Sequence, residues 1–395
     1  MSPKLCKTEA KGSKLQSNTL ELACDLINRP SVTPDDGGCQ QMLAKRLAKL
    51  GFEAEWFIFG DVSNVIITHG DLGDADDPSL WFLGHTDVVP SGPEEEWSSP
   101  PFEATVKNGR LFGRGAVDMK GAVAAMVTAL ETFVNDNADH PGQIGILLTS
   151  DEEGPADDGI TRVADVLAAC DGAPRYCLVG EPSCHTRLGD TVRIGRRGSM
   201  HARLKVFGVQ GHSAFPEDIN NPIHQLAPFL QALTSKQWDE GDDSFPPTHC
   251  QITNIHSGTG AENVTPGVAD LWVNFRNCPL SPSSTIRQTV EAMLAEHGID
   301  EYECEWRVSG EPFRSPAGEL RAATLTAIRD ELSIEPGANT GGGTSDGRFI
   351  APLGTEVVEF GLINATIHQI DEHTKVEHLG RLSKVYRRVL DQLFT

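Results

Sequence analysis

The chain has 395 residues, of which 39% are apolar and 23% charged, so it is long enough for two globular domains with separate cores. Its 33 Lys and Arg residues against 56 Asp and Glu give a net charge of −23, which disfavours binding to nucleic acid or to an anionic membrane surface. No stretch is apolar over the length of a membrane span and the N-terminus lacks the apolar core of a signal peptide, so we expect a cytoplasmic protein.

The first part of the chain alternates helical and strand patterns. Two helices are predicted around a turn, with Leu20, Leu22 and Leu26 on the buried face of the first. The apolar runs "NVIITHG", "SLWFLGHTDVVP" and "GQIGILLTSDEEG" predict strands, and "MKGAVAAMVTALETFV" predicts a helix between the last two. This alternation favours a three-layer α/β domain with a mixed, largely parallel sheet.

The pattern changes near Thr191, where strands begin to alternate apolar with polar residues around two helices. We interpret residues 194–308 as an inserted α+β domain, of ferredoxin-like type, with half-exposed strands. After it a helix over Glu319–Leu332, the strand "TEVVEFG" and a final helix resume the first pattern. Residues 1–193 and 309–395 would therefore form one discontinuous catalytic domain, with residues 1–17 as a disordered extension.

The stretch "ILLTSDEEGP" places three consecutive carboxylates, Asp151, Glu152 and Glu153, directly after an apolar strand. Such like charges repel one another unless a cation compensates them. In "LGHTDVVP", His85 and Asp87 are two residues apart, so on an extended chain both side chains project to one side and the carboxylate can orient the imidazole. Taken alone, a histidine at a strand end is more often a hydrogen-bonded structural residue than a metal ligand.

Five residues share a position at the end of an apolar strand or in the turn beyond it: His85, Asp118, Glu153, Glu181 and His368. Each has an ordinary reading as a core histidine, a helix cap or a solvated carboxylate, but the whole set indicates a catalytic metal site. The nine cysteines form no Cys-x-x-Cys pair, so nitrogen and oxygen ligands suited to zinc, cobalt or manganese are expected. Adjacent residues on an extended segment point in opposite directions, so we assign Glu153 to the metal and Glu152 to a general base.

The motifs "GHTDVVP", "GRGAVDMKG", "TSDEEG", "VGEPS", "RRGS", "GGGTSDGRF" and "NATIH" resemble those of the succinyl-diaminopimelate desuccinylases of the dinuclear-metal M20 peptidase family. The resemblance runs from about Leu20 to the end of the chain. It implies two divalent ions per subunit, with zinc expected and cobalt able to replace it. By this resemblance His85 and Glu181 would hold one ion, Glu153 and His368 the other, and Asp118 would bridge them, while Asp87 orients His85 and Glu152 accepts the proton.

The resemblance also implies a substrate, N-succinyl-LL-2,6-diaminopimelate, which would be cut to succinate and LL-2,6-diaminopimelate in lysine biosynthesis. Its carboxylates would bind arginines, which can grip them with paired hydrogen bonds. The implied substrate-binding residues are Arg196, Ser199, Asn263, Arg276, Gly343, Thr344 and Asn364. His212 would stabilise the oxyanion across a homodimer interface formed by the inserted domain.

Two positions depart from the family pattern: Phe215 stands where a tyrosine is expected and Glu262 where an amide is commoner. Both bear on the pocket rather than on the metals. Two other functions remain open. One is a related M20 amidohydrolase, such as an acetylornithine deacetylase or a dipeptidase. The other is a metal-binding protein without activity, against which Glu152 argues, because a pure binding site needs no spare base.

Overall fold

The computed structural model of the protein describes residues 14–72 and 77–395. The helices are α1 (Lys14–Ile27), α2 (Cys39–Leu47), α3 (Lys120–Asp136), α4 (Ile160–Cys170), α5 (Pro222–Ser235), α6 (Ser283–Glu296), α7 (Glu319–Leu332), α8 (Gly347–Ile350) and α9 (Val376–Phe394). The strands are β1 (Glu53–Phe59), β2 (Val62–His69), β3 (Ser79–His85), β4 (Thr105–Lys107), β5 (Arg110–Phe112), β6 (Gln143–Thr149), β7 (Tyr176–Val179), β8 (Thr191–Arg193), β9 (Gly195–Arg196), β10 (Gly198–Phe207), β11 (Gly211–His212), β12 (His249–Ser257), β13 (Val264–Thr265), β14 (Val268–Asn277), β15 (Tyr302–Gly310), β16 (Phe313–Arg314), β17 (Gly337–Asn339), β18 (Glu356–Glu359) and β19 (His373–Lys375).

The chain forms two compact units. The first comprises the described part of Met1–Gly195 together with Ser315–Asn339 and Ser345–Thr395, and the second comprises Arg196–Arg314 and Thr340–Thr344. The second unit therefore extends beyond the expected insert, 194–308. Its chain continues through β15 and β16 to Arg314, and residues 340–344 belong with it rather than with the expected catalytic domain. One reason is that the Arg196 guanidinium donates to the carbonyl oxygens of Gly341 and Gly343 at 3.4 and 3.2 Å.

The expected N-terminal extension, residues 1–17, is only partly described. Residues 1–13 lie outside the described part of the chain. Residues 14–17, expected to be disordered, are instead the first turn of α1. The helix continues through Leu22 and Leu26, which are completely buried in the core of the first unit.

An eight-stranded sheet of order β1-β2-β6-β3-β7-β18-β8-β17 forms the frame of the first unit. At its centre β3 pairs in parallel with β6 and β7, and β7 pairs in parallel with β18, while β1, β2 and β6 are joined by antiparallel pairs. Every residue of β3 and β6 is buried. Helices and loops must therefore cover both faces of the centre, which makes the sheet the middle layer of a three-layer α/β unit, as predicted.

Helix α3 lies very close to the centre of this sheet. Its first eleven residues are all buried, because the sequence there is small and apolar on every side. Two glycines in the neighbouring strand ends permit the approach: a Cβ at Gly84 would lie 2.6 Å from the side chain of Met119, and one at Gly180 would lie 2.3 Å from that of Met126. This close packing fixes the turn that precedes α3 over the ends of β3 and β7.

The second unit has a βαββαβ order, β10-α5-β12-β14-α6-β15, and its four-stranded antiparallel sheet has the strand order β12-β14-β10-β15. This is the ferredoxin-like arrangement. Inward-facing residues of β10 and β14 form a separate core with α5 and α6. In the described part of the chain, no helix has the length and apolar character needed to cross a bilayer, and every cysteine is free.

Candidate metal centre

The predicted metal ligands meet at one edge of the eight-stranded sheet. His85 is the last residue of β3, Glu153 follows β6 after a short turn, and Glu181 follows β7. Because β3 lies between β6 and β7 and is parallel to both, the carboxyl ends of the three strands reach the same edge. Three neighbouring strands thus supply one imidazole and two carboxylates.

Asp118 and His368 reach the same place from loops. Asp118 ends the turn before α3, and His368 lies between β18 and β19 with a left-handed backbone, φ 58°. Asp118 Oδ1 lies 3.2 Å from His85 Nε2, which in turn lies 3.7 Å from Glu181 Oε1. Asp118 Oδ2 lies 3.5 Å from His368 Nε2, which lies 3.0 Å from Glu153 Oε1. Asp118 therefore directs one oxygen towards each of two His–Glu pairs.

These spacings fit the ligand shells of two cations. Ligands about 2.0–2.1 Å from a tetrahedral zinc ion lie about 3.3 Å from one another, close to the four distances above. Among the described residues, two groups have one donor atom each within 4.8 Å of one another: His85 with Glu152 and Glu181, and His85 with Asp118 and Glu153. The donors are nitrogen and oxygen without thiolate, as expected for zinc, cobalt or manganese. The side chains present fit a dinuclear metal centre.

The charges of the cluster also favour bound cations. Hydrogen bonds with Asp118 and Glu153 raise the pKa of His368 to about 10. Burial opposes protonation of His85, but its hydrogen bond with Asp118 and the charge of Asp87 outweigh burial and raise its pKa. Burial acts to raise the pKa of Asp118, but the two histidines outweigh it and lower that pKa. The negative charge of these carboxylates stabilises the protonated form of both histidines. The same charge attracts metal cations.

Asp87 acts differently from the predicted contact. The backbone carbonyl of Asp87 accepts from His85 Nδ1 at 2.9 Å, whereas the carboxylate is 3.6 Å from that nitrogen. This bond fixes the imidazole tautomer and leaves Nε2 for a metal. The Asp87 carboxylate, completely buried, accepts instead from the backbone N–H groups of Glu152 at 3.4 Å and Glu153 at 3.1 Å. It therefore holds the loop that carries both glutamates.

Glu152 lies beside the ligands in a setting that favours the bound proton. Burial raises the pKa of Glu152 well above its ordinary value, and the charge of Asp346 adds to the shift. No pattern in the sequence distinguishes Asp346, which lies in a Gly-rich stretch just before α8 and is buried. Burial raises its own pKa to about 6. The only feature of the sequence that could have drawn attention to Asp346 was its place as an acidic residue within the motif "GGGTSDGRF".

Most of the predicted substrate-binding residues lie in the second unit, where five of them and the predicted oxyanion donor His212 form three pairs. Arg196 contacts Gly343 as described above, and Ser199 on β10 is directly opposite Arg276 on β14. His212 Nε2 lies 3.4 Å from the Asn263 amide nitrogen, and its Nδ1 accepts from the backbone N–H of Ala214 at 3.0 Å.

The remaining predicted positions are spread over both units. Thr344 closes the 340–344 segment of the second unit. Asn364 belongs to the first unit, where its amide nitrogen lies 3.4 Å from His185 Nδ1. Of the two departures from the family pattern, Phe215 is 54% exposed with its ring centroid 5.6 Å from that of His212, and Glu262 is exposed.

Comparisons with known proteins agree on one family. The model of Peptidase family M20/M25/M40 matches residues 81–392. The succinyl-diaminopimelate desuccinylase of Methylococcus capsulatus is 52% identical over 377 residues, which cover 95% of this chain and 99% of that protein. The desuccinylase of the same name from Stenotrophomonas maltophilia is 51% identical over the same shares of the two chains.

Solved structures share the fold at low sequence identity. An M20 family metallo-carboxypeptidase from Sulfolobus solfataricus superposes with a TM-score of 0.78 at 17% identity, covering 97% of this chain and 99% of its own. A Bacillus subtilis protein described as a dinuclear metal binding peptidase from the M20 family superposes with a TM-score of 0.68 at 15% identity, covering 95% of this chain and 97% of its own.

Proposed function

The chain belongs to Peptidase family M20/M25/M40, and from this premise we propose that it hydrolyses the succinyl amide of N-succinyl-LL-2,6-diaminopimelate to succinate and LL-2,6-diaminopimelate. The observation that carries the proposal is the placement of the Asp118 carboxylate. One of its oxygens faces His85 and Glu181, and the other faces His368 and Glu153. The relatives named for this reaction are 52% and 51% identical over 95% of the chain, and this similarity supports the choice of substrate.

In this proposal His85 and Glu181 would hold one divalent ion, Glu153 and His368 would hold a second, and Asp118 would serve both. We propose zinc as the resident metal, with cobalt able to replace it, because the donors are imidazole and carboxylate. When bound, the ions polarise the scissile carbonyl and make water acidic enough to react near neutral pH. Asp87 keeps the loop of Glu152 and Glu153 in place through its two backbone hydrogen bonds.

Glu152 is the proposed proton carrier. Its carboxylate would take a proton from the water that attacks the succinyl carbonyl carbon, and would release that proton to the amide nitrogen as the C–N bond breaks. The position of this side chain supports the task, because one of its carboxylate oxygens lies within 4.8 Å of donor atoms of both His85 and Glu181. The resulting amine and carboxylate are the two products.

We place recognition of the anionic substrate on Arg196 and Arg276, with Ser199, Asn263, Gly343, Thr344 and Asn364 as hydrogen-bonding partners. The protein as a whole is strongly acidic, so these guanidinium groups would supply the local positive charge that a tricarboxylate needs. Burial lowers the pKa of Arg276, and the nearby Arg197 adds to this. A carboxylate partner would stabilise the charged form of this guanidinium.

His212 is the proposed donor to the oxyanion, supplied by the second subunit of a homodimer. His212 Nδ1 accepts the N–H of Ala214, so Nε2 is the ring nitrogen that would donate to the oxyanion, in place of its 3.4 Å contact with the Asn263 amide. The second unit exposes apolar side chains on its strands, including Ile255, Val268 and Trp272, which supports association through this unit. A small-molecule substrate and a cytoplasmic location complete the proposal.

The test is the hydrolysis rate of chelator-treated enzyme during stepwise return of Zn2+ or Co2+, measured with N-succinyl-LL-2,6-diaminopimelate, N-acetylornithine and a dipeptide. We expect turnover of the succinylated substrate to rise with metal content. Preference for acetylornithine or the dipeptide would select the related amidohydrolases instead. Glu152→Gln should remove turnover, whereas Glu335→Gln, at an exposed carboxylate paired with Arg329, should leave it unchanged.

A further inference from the structure

A second buried carboxylate lies directly behind the metal centre. Glu372 is completely buried, and its side chain accepts four donors. Oε1 accepts the backbone N–H groups of Val117 at 2.7 Å and Asp118 at 3.1 Å, and Oε2 accepts that of Gly115 at 3.0 Å and Arg114 Nη1 at 2.8 Å. Its backbone carbonyl accepts a fifth donor, the N–H of Gly113, at 3.0 Å. One residue thus accepts four of the six backbone N–H groups of the turn from 113 to 118.

This turn lies outside the helices and strands, and Gly113 and Gly115 have φ values of 151° and 84°. Its one internal backbone hydrogen bond runs from the Ala116 N–H to the Gly113 carbonyl at 3.1 Å, and the Arg114 N–H donates to the Pro101 carbonyl at 2.8 Å. A Cβ at Gly115 would lie 2.8 Å from Val88 and 2.9 Å from Lys120. The turn is therefore packed tightly as well as irregular, and its position depends on acceptors supplied from outside.

Arg114 extends the contact to two further loops of the centre. It is 2% exposed, and besides Glu372 it donates to the carbonyl oxygens of Gln369 at 3.3 Å and Pro90 at 3.2 Å. Gln369 directly follows His368, and Pro90 lies five residues beyond His85 in the loop after β3. The ion pair joins the turn of Asp118 to the loops of the two metal-binding histidines.

We propose that Glu372 and Arg114 are positioning residues that fix Asp118 between His85 and His368, so that each Asp118 oxygen meets its own cation. The proposal rests on the shared role of Asp118 given above. A buried ion pair adds little net stability over apolar residues of similar volume, whereas its directional bonds to three loops determine geometry. Both side chains are buried, and neither was distinguished by the sequence patterns.

The test is Glu372→Gln, which preserves volume but replaces one acceptor oxygen with a donor amide. Whichever oxygen is replaced, two of the four donors then face an N–H2 group. We expect both cations to bind about 10- to 100-fold more weakly, the range typical when a group that orients a ligand is lost. The measurement is a Co2+ titration of chelator-treated protein by visible absorption and calorimetry, which needs no substrate and so remains valid if the proposed reaction is wrong.

Glu356→Gln is the matched control. Glu356 is also buried and also accepts two backbone N–H groups, those of Leu320 at 3.1 Å and Arg321 at 2.9 Å, but it begins β18 at the end of that strand remote from the ligands. The Glu356→Gln substitution should lower the melting temperature without changing Co2+ affinity by more than about twofold. Equal weakening of Co2+ binding in both variants would show a general effect of stability and overturn the proposal.

Arg114→Lys covers the case in which Glu372→Gln does not fold. Lysine keeps the charge beside Glu372, but one ammonium group cannot also reach Gln369 and Pro90. We expect about tenfold weaker Co2+ binding and, at saturating metal, a lower kcat with KM unchanged. Wild-type Co2+ affinity and spectrum in folded Glu372→Gln or in Arg114→Lys would contradict the proposal.

Discussion

Replacing Asp87 with asparagine separates two possible tasks of this residue. The buried carboxylate accepts the N–H groups of Glu152 and Glu153, and Asn would keep one acceptor while turning an amide N–H2 towards the other N–H. A hydrogen bond to a charged acceptor contributes about 1.5–3 kcal/mol. If that energy holds the two glutamates in their working positions, its loss lowers kcat by about 10- to 150-fold, since about 1.4 kcal/mol corresponds to a factor of ten.

The assay is kcat of Asp87→Asn at saturating metal, with the folded state checked by circular dichroism. Asp239→Asn is a suitable control, because Asp239 in the second unit also accepts two backbone N–H groups, from Gly241 and Thr248. A folded Asp87→Asn enzyme with kcat within about twofold of wild type would refute the reasoning. If Asp87 acts chiefly through His85, the effect should instead fall on metal binding. In a His368→Ala background, Asp87→Asn should then weaken the binding of the cation that remains at His85.

Three further predictions concern metal content, stability and pH. His368→Ala removes the nitrogen from one ligand pair and leaves His85 with the other, so calorimetry should show one tightly bound Co2+ in place of two; two tight sites would contradict the assignment. Tyr386→Phe deletes the buried hydrogen bond of 2.6 Å to the carbonyl of Phe360 and should lower the free energy of unfolding by about 1–3 kcal/mol in urea, against no change if the bond contributes nothing. Burial lowers the pKa of His378 from 6.5 to about 4, so the unfolded chain takes up this proton first and stability should fall by on the order of 3 kcal/mol from pH 6.5 down to pH 4, then level off. In His378→Gln that part of the slope should disappear from denaturation curves, and an unchanged slope would exclude this histidine as its source.

The part of the centre built on strand ends could be predicted from the sequence. Residues after apolar strands of a parallel sheet must meet at one edge, which places His85, Glu153 and Glu181 together without knowledge of their partners. For His368 the sequence offered only its place after a short apolar run, and the family resemblance supplied its partner. Its loop depends on left-handed backbone at two positions and on hydrogen bonds between Thr366 and His373, none of which has a local pattern.

The same limit applies to the smaller elements. The bounds of α7, Glu319–Leu332, were predicted correctly because its apolar residues recur with the helical period. The three-residue strands β4, β5 and β19 were not predicted, since strands so short carry no periodicity and β19 pairs with β5 from a distant part of the chain. For Asp87, the spacing from His85 predicted the correct side of the strand but could not distinguish the backbone carbonyl from the carboxylate as the group that contacts the imidazole.

The division of the first unit along the chain has a consequence for biosynthesis. Translation proceeds from the N-terminus, so a nascent chain that has reached Thr344 already contains every residue of the second unit. It still lacks β18, which lies between β7 and β8 in the sheet, and the histidine and acidic residues that follow that strand. A fragment that ends before His368 therefore lacks one of the five proposed metal ligands, and we expect it to bind fewer ions than the full chain.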